Sequence, residues 1–152
     1  MFASLLIALA AIGLAIGCWF RPLPDNKPAP APTYTDQQVA NAKASVCAAF
    51  AKVDHALDLA DSEPVGSDRT EQLAVAALSR IAFDAGSRYL LTTLAEEPAT
   101  PPELATAVRN EANSLQELLI GFLGGIRNSD PAQQPAVNAN NEATATIRRL
   151  CK

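Results

Sequence analysis

The stretch TPPELATAVRNEANSLQELLIGF, residues 100–122, carries the plainest helix start in the chain and decides the fold class. Thr100 has the character of an N-cap, Pro101 falls in the first turn where its missing amide costs nothing, and Glu103 has capping-box spacing. Apolar residues then recur on one face at helical spacing: Leu104, Val108, Leu115, Leu119, Phe122 and Ile126. The stretch therefore predicts an amphipathic helix with one buried face.

A similar helix precedes it near the start of the domain. Thr35 and Gln38 have capping-box spacing, and the predicted helix runs from there to about Asp61. A loop is predicted over residues 62–69. The inward face of this first helix is predicted to hold Val39, Ala42, Val46, Ala49, Phe50, Val53 and Leu57.

The second predicted helix opens at Asp68 with Glu71 and ends near Glu96, before Pro98. Gly86 lies inside it and marks either a kink or a close contact. Its inward residues are predicted to be Leu73, Ala77, Leu78, Ile81, Leu90, Leu91 and Leu94.

A fourth helical segment begins after Asp130, with Pro135 shifting its start, and runs to the end of the chain. Val137, Ile147 and Leu150 form its apolar face. Four amphipathic helices joined by short loops favour an up-down-up-down bundle over residues 34–152. The predicted fold class is therefore all-α.

Composition agrees with helices and excludes one class of partner. Of the 152 residues, 49% are hydrophobic but only 5% are aromatic, and alanine supplies much of the apolar count. Alanine is the residue that a helix accepts at least cost. The formal net charge of −4 leaves no basic stripe of the kind that nucleic-acid binding requires.

Residues 1–20 are predicted to form a transmembrane anchor. No charged side chain occurs between Phe2 and Phe20, and a helix of that length spans roughly 28 Å, close to the hydrocarbon thickness of a bilayer. Two alternatives stay open: a cleaved signal peptide, and a lipoprotein modified at Cys18. Gly13 and Gly17 have the G-x-x-x-G spacing of a helix dimer face, although glycine is also common in membrane helices generally.

Residues 21–33 predict a proline-rich linker between the anchor and the bundle. The alternating P-A-P-A-P favours polyproline II, which extends about 3.1 Å per residue, or else a short disordered tether.

Cys47 and Cys151 are the two cysteines of the bundle domain. An up-down-up-down topology brings the end of the fourth helix beside the first, which predicts a disulfide worth about 4–5 kcal/mol in the loop-entropy model. Two free buried thiols are the alternative, as in a reducing compartment. A disulfide together with a membrane anchor places the bundle outside the cytoplasm, against the weak opposite bias from Arg21 and Lys27.

The chain lacks the common catalytic and cofactor-binding motifs. It has one histidine, His55, and no C-x-x-C, H-E-x-x-H, phosphate-binding glycine loop or G-x-S-x-G. We therefore predict no enzyme activity, no cofactor and no metal, and a solvated His55.

Two polar groupings in the sequence are candidate sites. Asp54, Asp58 and Asp61 share one helix face, which is either a solvated surface or a weak cation site. The second grouping is a polar patch that would frame a cleft with Tyr34 or Tyr89; its members are Asn138, Asn140 and Asn141.

The layout resembles the alanine- and proline-rich single-span membrane proteins of actinobacteria, most clearly over residues 34–152. The resemblance implies one membrane span and an extracytoplasmic helical domain, and it carries over no activity and no functional residues. The stretches that resemble this group are TYTDQQVANAKASVCAAF (33–50), EQLAVAALSRIAFDAGSRYL (71–90), AEEPATPPELATAVR (95–109) and RRLCK (148–152).

Three functions follow as hypotheses. The first is a single-pass domain on the outer side of the cell membrane that binds an envelope protein or component, with a homodimer through the span as a weaker expectation. The second is a small-molecule sensor or carrier with a pocket between helices. The third is an enzyme of unfamiliar design that uses the aspartate face.

Overall fold

The structure is a computed structural model that describes residues 32–62 and 68–152. Its four helices are α1 (Asp36–Ser62), α2 (Arg69–Glu96), α3 (Pro102–Leu123) and α4 (Gln134–Leu150). Every regular element of these two ranges is a helix, so the all-α prediction is confirmed. The predicted span with Gly13, Gly17 and Cys18, and residues 21–31 of the predicted linker, lie outside the described residues.

The first two helices begin at the predicted caps. The backbone amide of Thr35 donates to Gln38 Oε1 at 2.9 Å, and the amide of Gln38 donates back to Thr35 Oγ1 at 3.3 Å. Asp68 accepts from the amide of Thr70 at 3.0 Å. Each cap satisfies amides that a helix start leaves without an intrahelical partner.

The predicted cap at Thr100 is wrong. Thr100 Oγ1 donates instead to the carbonyl of Glu97 at 2.7 Å, and Pro101 takes the N-cap position without a side-chain hydrogen bond. The cause is the second proline, because a residue that precedes proline is pushed out of the helical region. Pro101 is accordingly extended, with ψ of 134°, and α3 begins at Pro102.

The start of α4 follows the predicted shift. Asp130 Oδ1 accepts from the amide of Ala132 at 3.0 Å, and the Asp130 carbonyl accepts from the amide of Gln133 at 2.9 Å. This turn leads into Gln134, and Pro135 occupies the first turn of the helix, where its missing amide is not needed.

Consecutive helices pack antiparallel. Between α1 and α2, Ser79 Oγ reaches the carbonyl of Ala60, whereas Gly86, further along α2, lies against Val53, earlier in α1. Contacts between α3 and α4 run in opposite directions in the same way; the pairs are Leu118 with Gln133, Ser114 with Asn140, Glu111 with Thr144, and Glu103 with Arg149.

The seam between α1 and α4 is narrower than the seams between consecutive helices. It is closed by the predicted disulfide, in which the Cα atoms of Cys47 and Cys151 lie 5.6 Å apart across a sequence separation of 104. The disulfide prediction is therefore confirmed.

The core lies among all four helices. Its largest fully buried apolar side chains are Leu90, Leu104, Leu115 and Ile147. Glycine allows one close approach within it, because a Cβ at Gly86 would lie 2.8 Å from Val53 Cγ1. Of the two alternatives predicted for Gly86, a kink or a close contact, the structure shows the close contact.

The predicted inward face of α2 is wrong over its first half. Leu73, Leu78 and Ile81 are exposed, although Leu90 and Leu94 are buried as predicted. The close contact at Gly86 fixes the rotation of the helix. One and two turns earlier, the same face carries Phe83 and Ser79, so the large aliphatic residues turn outward.

None of the four helices in the described ranges combines the length and hydrophobicity that a bilayer crossing needs.

Candidate functional site

A buried carboxyl group lies where α4 packs against α3. Glu111 is only 2% exposed, and Thr144 Oγ1 donates to its Oε2 at 2.9 Å. Burial removes the carboxylate from water and raises the pKa of Glu111 to about 7. The hydrogen bond from Thr144 opposes this rise, the charge of Asp54 adds to it, and the charge of Arg148 opposes it.

Asp54 and Arg148 form a bidentate ion pair beside this carboxyl group. Arg148 Nη2 lies 2.8 Å from both Asp54 oxygens, and Arg148 Nε lies 3.2 Å from Oδ2. The Asp54 carboxylate raises the pKa of the Arg148 guanidinium. Asp54 is thus a partly exposed member of the predicted aspartate face that pairs with a cation of α4.

The same seam between α3 and α4 is completed by a hydroxyl and an amide. Ser114 Oγ lies 2.9 Å from the carbonyl of Glu111 and 3.2 Å from Asn140 Oδ1. Among the described residues, no buried side-chain nitrogen or oxygen lacks a partner. We call this set the α4 network: Asp54, Glu111, Ser114, Asn140, Thr144 and Arg148.

Within the α4 network, the Glu111 carboxyl faces packed side chains. A groove of about 620 Å³ runs between α3 and α4 and is lined by Ser114, but Glu111 is not among its lining residues. Ionisation of Glu111 therefore affects the stability of the α3–α4 contact.

The remaining sequence-predicted polar residues do not form one site. His55 is exposed, in agreement with the prediction, and Asp58 is exposed as well. The side chain of Asp61 lies outside the described part of the chain. Within that part, no three histidine, cysteine or acidic side chains approach closely enough to hold a metal.

The predicted polar cleft on α4 is not assembled. Asn140 contacts Ser114 of α3, whereas Tyr89 lies beneath Lys52 of α1, with Nζ 5.9 Å from the ring centroid. Asn138 and Asn141 are exposed. The asparagines and Tyr89 therefore have different partners on different helix pairs.

A second feature lies where α1 ends and α2 begins, on the side that faces the end of α3. It is a cavity of about 230 Å³, which we call the Arg80 pocket. Phe83 and Phe122 stack across it with ring centroids 5.6 Å apart and an interplanar angle of 23°. The described residues that line it are Leu57, Ala60, Ala76, Ser79, Arg80, Phe83, Phe122 and Asn128.

Among the described residues of this lining, Arg80 alone carries a formal charge. Its Nη2 lies 3.4 Å from the carbonyl of Phe122, a long hydrogen bond at the end of α3. No carboxylate of the described residues forms an ion pair with it; the ion pairs there involve Arg88, Arg148 and Arg149.

The outer side of the same helix pair is apolar. Leu78 is 53% exposed and Ile81 is 62% exposed, and both line a shallow groove of about 300 Å³. We call this feature the α1–α2 apolar surface; its lining is Ala56, Leu59, Ala60, Leu78, Ile81 and Ala82.

Sequence reasoning missed Glu111 and Arg80, although one of them left a signal. Glu111 lies three residues after Val108 and four before Leu115, on the apolar stripe of α3. A carboxyl group at such a position is predicted to be buried. The Arg80 pocket left no comparable signal, since it is a gap between three helices.

Comparisons with known protein families, with curated protein sequences and with solved structures found no match to this chain.

Proposed function

We propose that this chain is a membrane-anchored, extracytoplasmic binding domain that holds a protein partner of the cell envelope through the α1–α2 apolar surface. The observation that carries the proposal is the exposure of Leu78 and Ile81 over a shallow groove. Exposed apolar patches on folded domains mark sites of interaction more often than scattered surface residues do.

The membrane anchor and its sidedness are supported by two features. The run without charges from Phe2 to Phe20 has the length of a single span. The Cys47–Cys151 disulfide fits an oxidising compartment, since cytosolic thiols are kept reduced. Intact-mass measurement of protein from native membranes tests both, because it reports whether residue 1 is retained, whether Cys18 carries lipid and whether the disulfide is present.

The binding surface is tested by site-specific photo-crosslinking in native membranes. We expect a photoreactive residue at Ile81 to give a discrete protein adduct, and one at the exposed Gln116 of α3 to give none. Ile81→Glu should abolish co-purification of that protein without lowering the thermal stability of the domain, whereas Gln116→Glu should leave it unchanged. Equal capture by Ile81→Glu and the unsubstituted chain would reject the proposal.

A second function, sensing or carrying a small molecule, is favoured by the Arg80 pocket. An apolar cavity with a few convergent polar groups is the usual form of a ligand site. The two features share Ala60 but otherwise use different side chains, so substitutions at Ile81 and at Arg80 test the two functions separately.

A further inference from the structure

We infer that the Arg80 pocket binds a small monocarboxylate with a short hydrocarbon body, and that the Arg80 guanidinium contacts the carboxylate. The inference names the ligand class for the second proposed function and rests on it. It is carried by the combination of apolar walls, one half-buried cation and the size of the cavity.

The apolar walls of the pocket favour a ligand with a hydrocarbon chain. The stacked rings of Phe83 and Phe122 and the side chain of Leu57 present hydrocarbon to the cavity. Burial of apolar ligand surface against such walls contributes roughly 25 cal/mol per Å². At about 230 Å³ the cavity is smaller than the roughly 300–1,000 Å³ typical of drug-sized ligands, so the ligand is small.

The single cation determines the head group. A guanidinium has five donors, and the contact with the Phe122 carbonyl uses one nitrogen. The remaining donors match a carboxylate in fork geometry. One arginine balances one negative charge, and the lining residues that the structure describes include no second cation for a phosphate dianion.

Asn128 and Ser79 are the neutral polar residues among the described lining. Ser79 already donates to the carbonyl of Val75 at 3.1 Å. The Asn128 amide carries two N–H donors, so it adds hydrogen-bonding capacity to the wall of the cavity.

Arg80 also has an alternative, purely structural role, because a cation near the last carbonyls of α3 interacts favourably with the helix dipole. The two readings differ in what fills the cavity. A purely capping arginine gives no ligand binding, and substitution of Ala76, which also lines the pocket, then has no effect on any ligand.

The test uses the full chain in lipid nanodiscs, with hexanoate, hexanol and inorganic phosphate as probes in titration calorimetry and saturation-transfer NMR. We expect hexanoate to bind at least about tenfold more tightly than hexanol, because a charge-assisted hydrogen bond is lost in the alcohol. Phosphate should not bind. Empty nanodiscs give the signal from partition into lipid, which is subtracted.

Variants then locate the site. Arg80→Gln should weaken hexanoate at least about tenfold and leave hexanol unchanged. Ala76→Leu should abolish binding of both probes by filling the cavity. The matched controls are Arg88→Gln and Ala77→Leu, at exposed positions of the same helix, and both should bind as the unsubstituted chain does.

Different outcomes of the test reject the carboxylate assignment alone or the proposed small-molecule function as well. Hexanol and hexanoate binding equally in the pocket would overturn the carboxylate assignment and leave a carrier of neutral molecules. Binding that survives Ala76→Leu, or no binding of either probe up to roughly 10 mM, would overturn both. Thermal stability of each variant is measured alongside, and an Arg80→Gln chain that fails to fold leaves Ala76→Leu as the deciding variant.

Discussion

The α1–α4 seam and the opposite end of the helix pair α1–α2 are built in contrasting ways. At the seam, a disulfide and a bidentate ion pair hold α4 and the residue after it against α1, and a buried carboxyl of α3 with its donor on α4 holds the other side of the same helix. At the other end, leucine and isoleucine side chains are more than half exposed, and a cavity remains between the helices. The polar and covalent contacts are thus concentrated where the helix contact is narrowest.

The contrast separates the features that stabilise the fold from those that do not and are better explained by binding. Paired groups at the seam stabilise a helix that shares a smaller contact with α1 than its neighbours do. The exposed parts of apolar side chains and an unfilled cavity add no packing energy, because packed interiors gain their energy from filled space. We therefore expect binding near the connection between α1 and α2, and stabilising contacts at the α1–α4 seam.

Loss of the disulfide is the largest change we expect. Cys47→Ser with Cys151→Ser, in a Cys18→Ser background, should lower the free energy of unfolding by about 4–5 kcal/mol, because the unfolded chain gains the freedom of a long loop. Urea denaturation measures this. Hydrogen exchange should show protection lost first in α4 and later in α2. The Cys18→Ser chain without the other two changes is the control, and a loss below about 1 kcal/mol would show that the seam does not depend on its covalent link.

The next largest effect is a pH-dependent change in the free energy of unfolding, which arises from the Glu111 carboxyl. Its pKa is about 7 in the folded chain against an ordinary 4.5, so the folded state holds the proton more tightly. The favourable contribution is complete below pH 4.5 and is lost as the pH rises through 7. Glu111→Gln keeps an acceptor for Thr144 and should raise the free energy of unfolding by up to about 3 kcal/mol at pH 8.

The Glu111 comparison is made between pH 4 and pH 8 by urea denaturation. The gain from Glu111→Gln should vanish at pH 4, where the native carboxyl is protonated. Glu117→Gln, at an exposed position of the same helix, is the control and should give no such pH dependence. An equal gain at both pH values would mean that packing, and not ionisation, distinguishes the two side chains.

The seam was largely predictable from the sequence, and the opposite end was not. Two cysteines in a domain of four antiparallel helices leave one pairing within it, and the topology brings them together. The face of α2 was mispredicted because Leu78 and Ile81 have the apolar character of core residues. Its true rotation depends on the approach of Gly86 to Val53, which is a contact between helices.

The sequence predicted helix caps that act locally, but it did not predict which charged side chains on different helices would meet. Thr35 and Asp68 act within one turn of their own helix, so local sequence is enough to place them. The partner of Glu111 lies on another helix, and only the fold shows that Thr144 meets it. Arg80 was missed for the same reason, since three helices define its pocket.

The smallest effect we expect is that of the ion pair between Asp54 and Arg148. Their side chains are 25% and 54% exposed, so solvent screens the attraction despite the bidentate geometry. A double-mutant cycle with Asp54→Asn and Arg148→Gln should give a coupling of about 0.5–1 kcal/mol that shrinks in high salt.

The cycle belongs in the Glu111→Gln background, because Asp54 raises the pKa of Glu111 and Arg148 lowers it, so each substitution would otherwise also change the protonation of that carboxyl. The Asp84–Arg88 pair on the surface of α2 is the reference, with an expected coupling of about 0.3–0.5 kcal/mol for an i,i+4 pair. A coupling above about 2 kcal/mol that persists in high salt would place the Asp54–Arg148 pair among buried interactions. The α1–α4 seam would then be held by charge as well as by its disulfide.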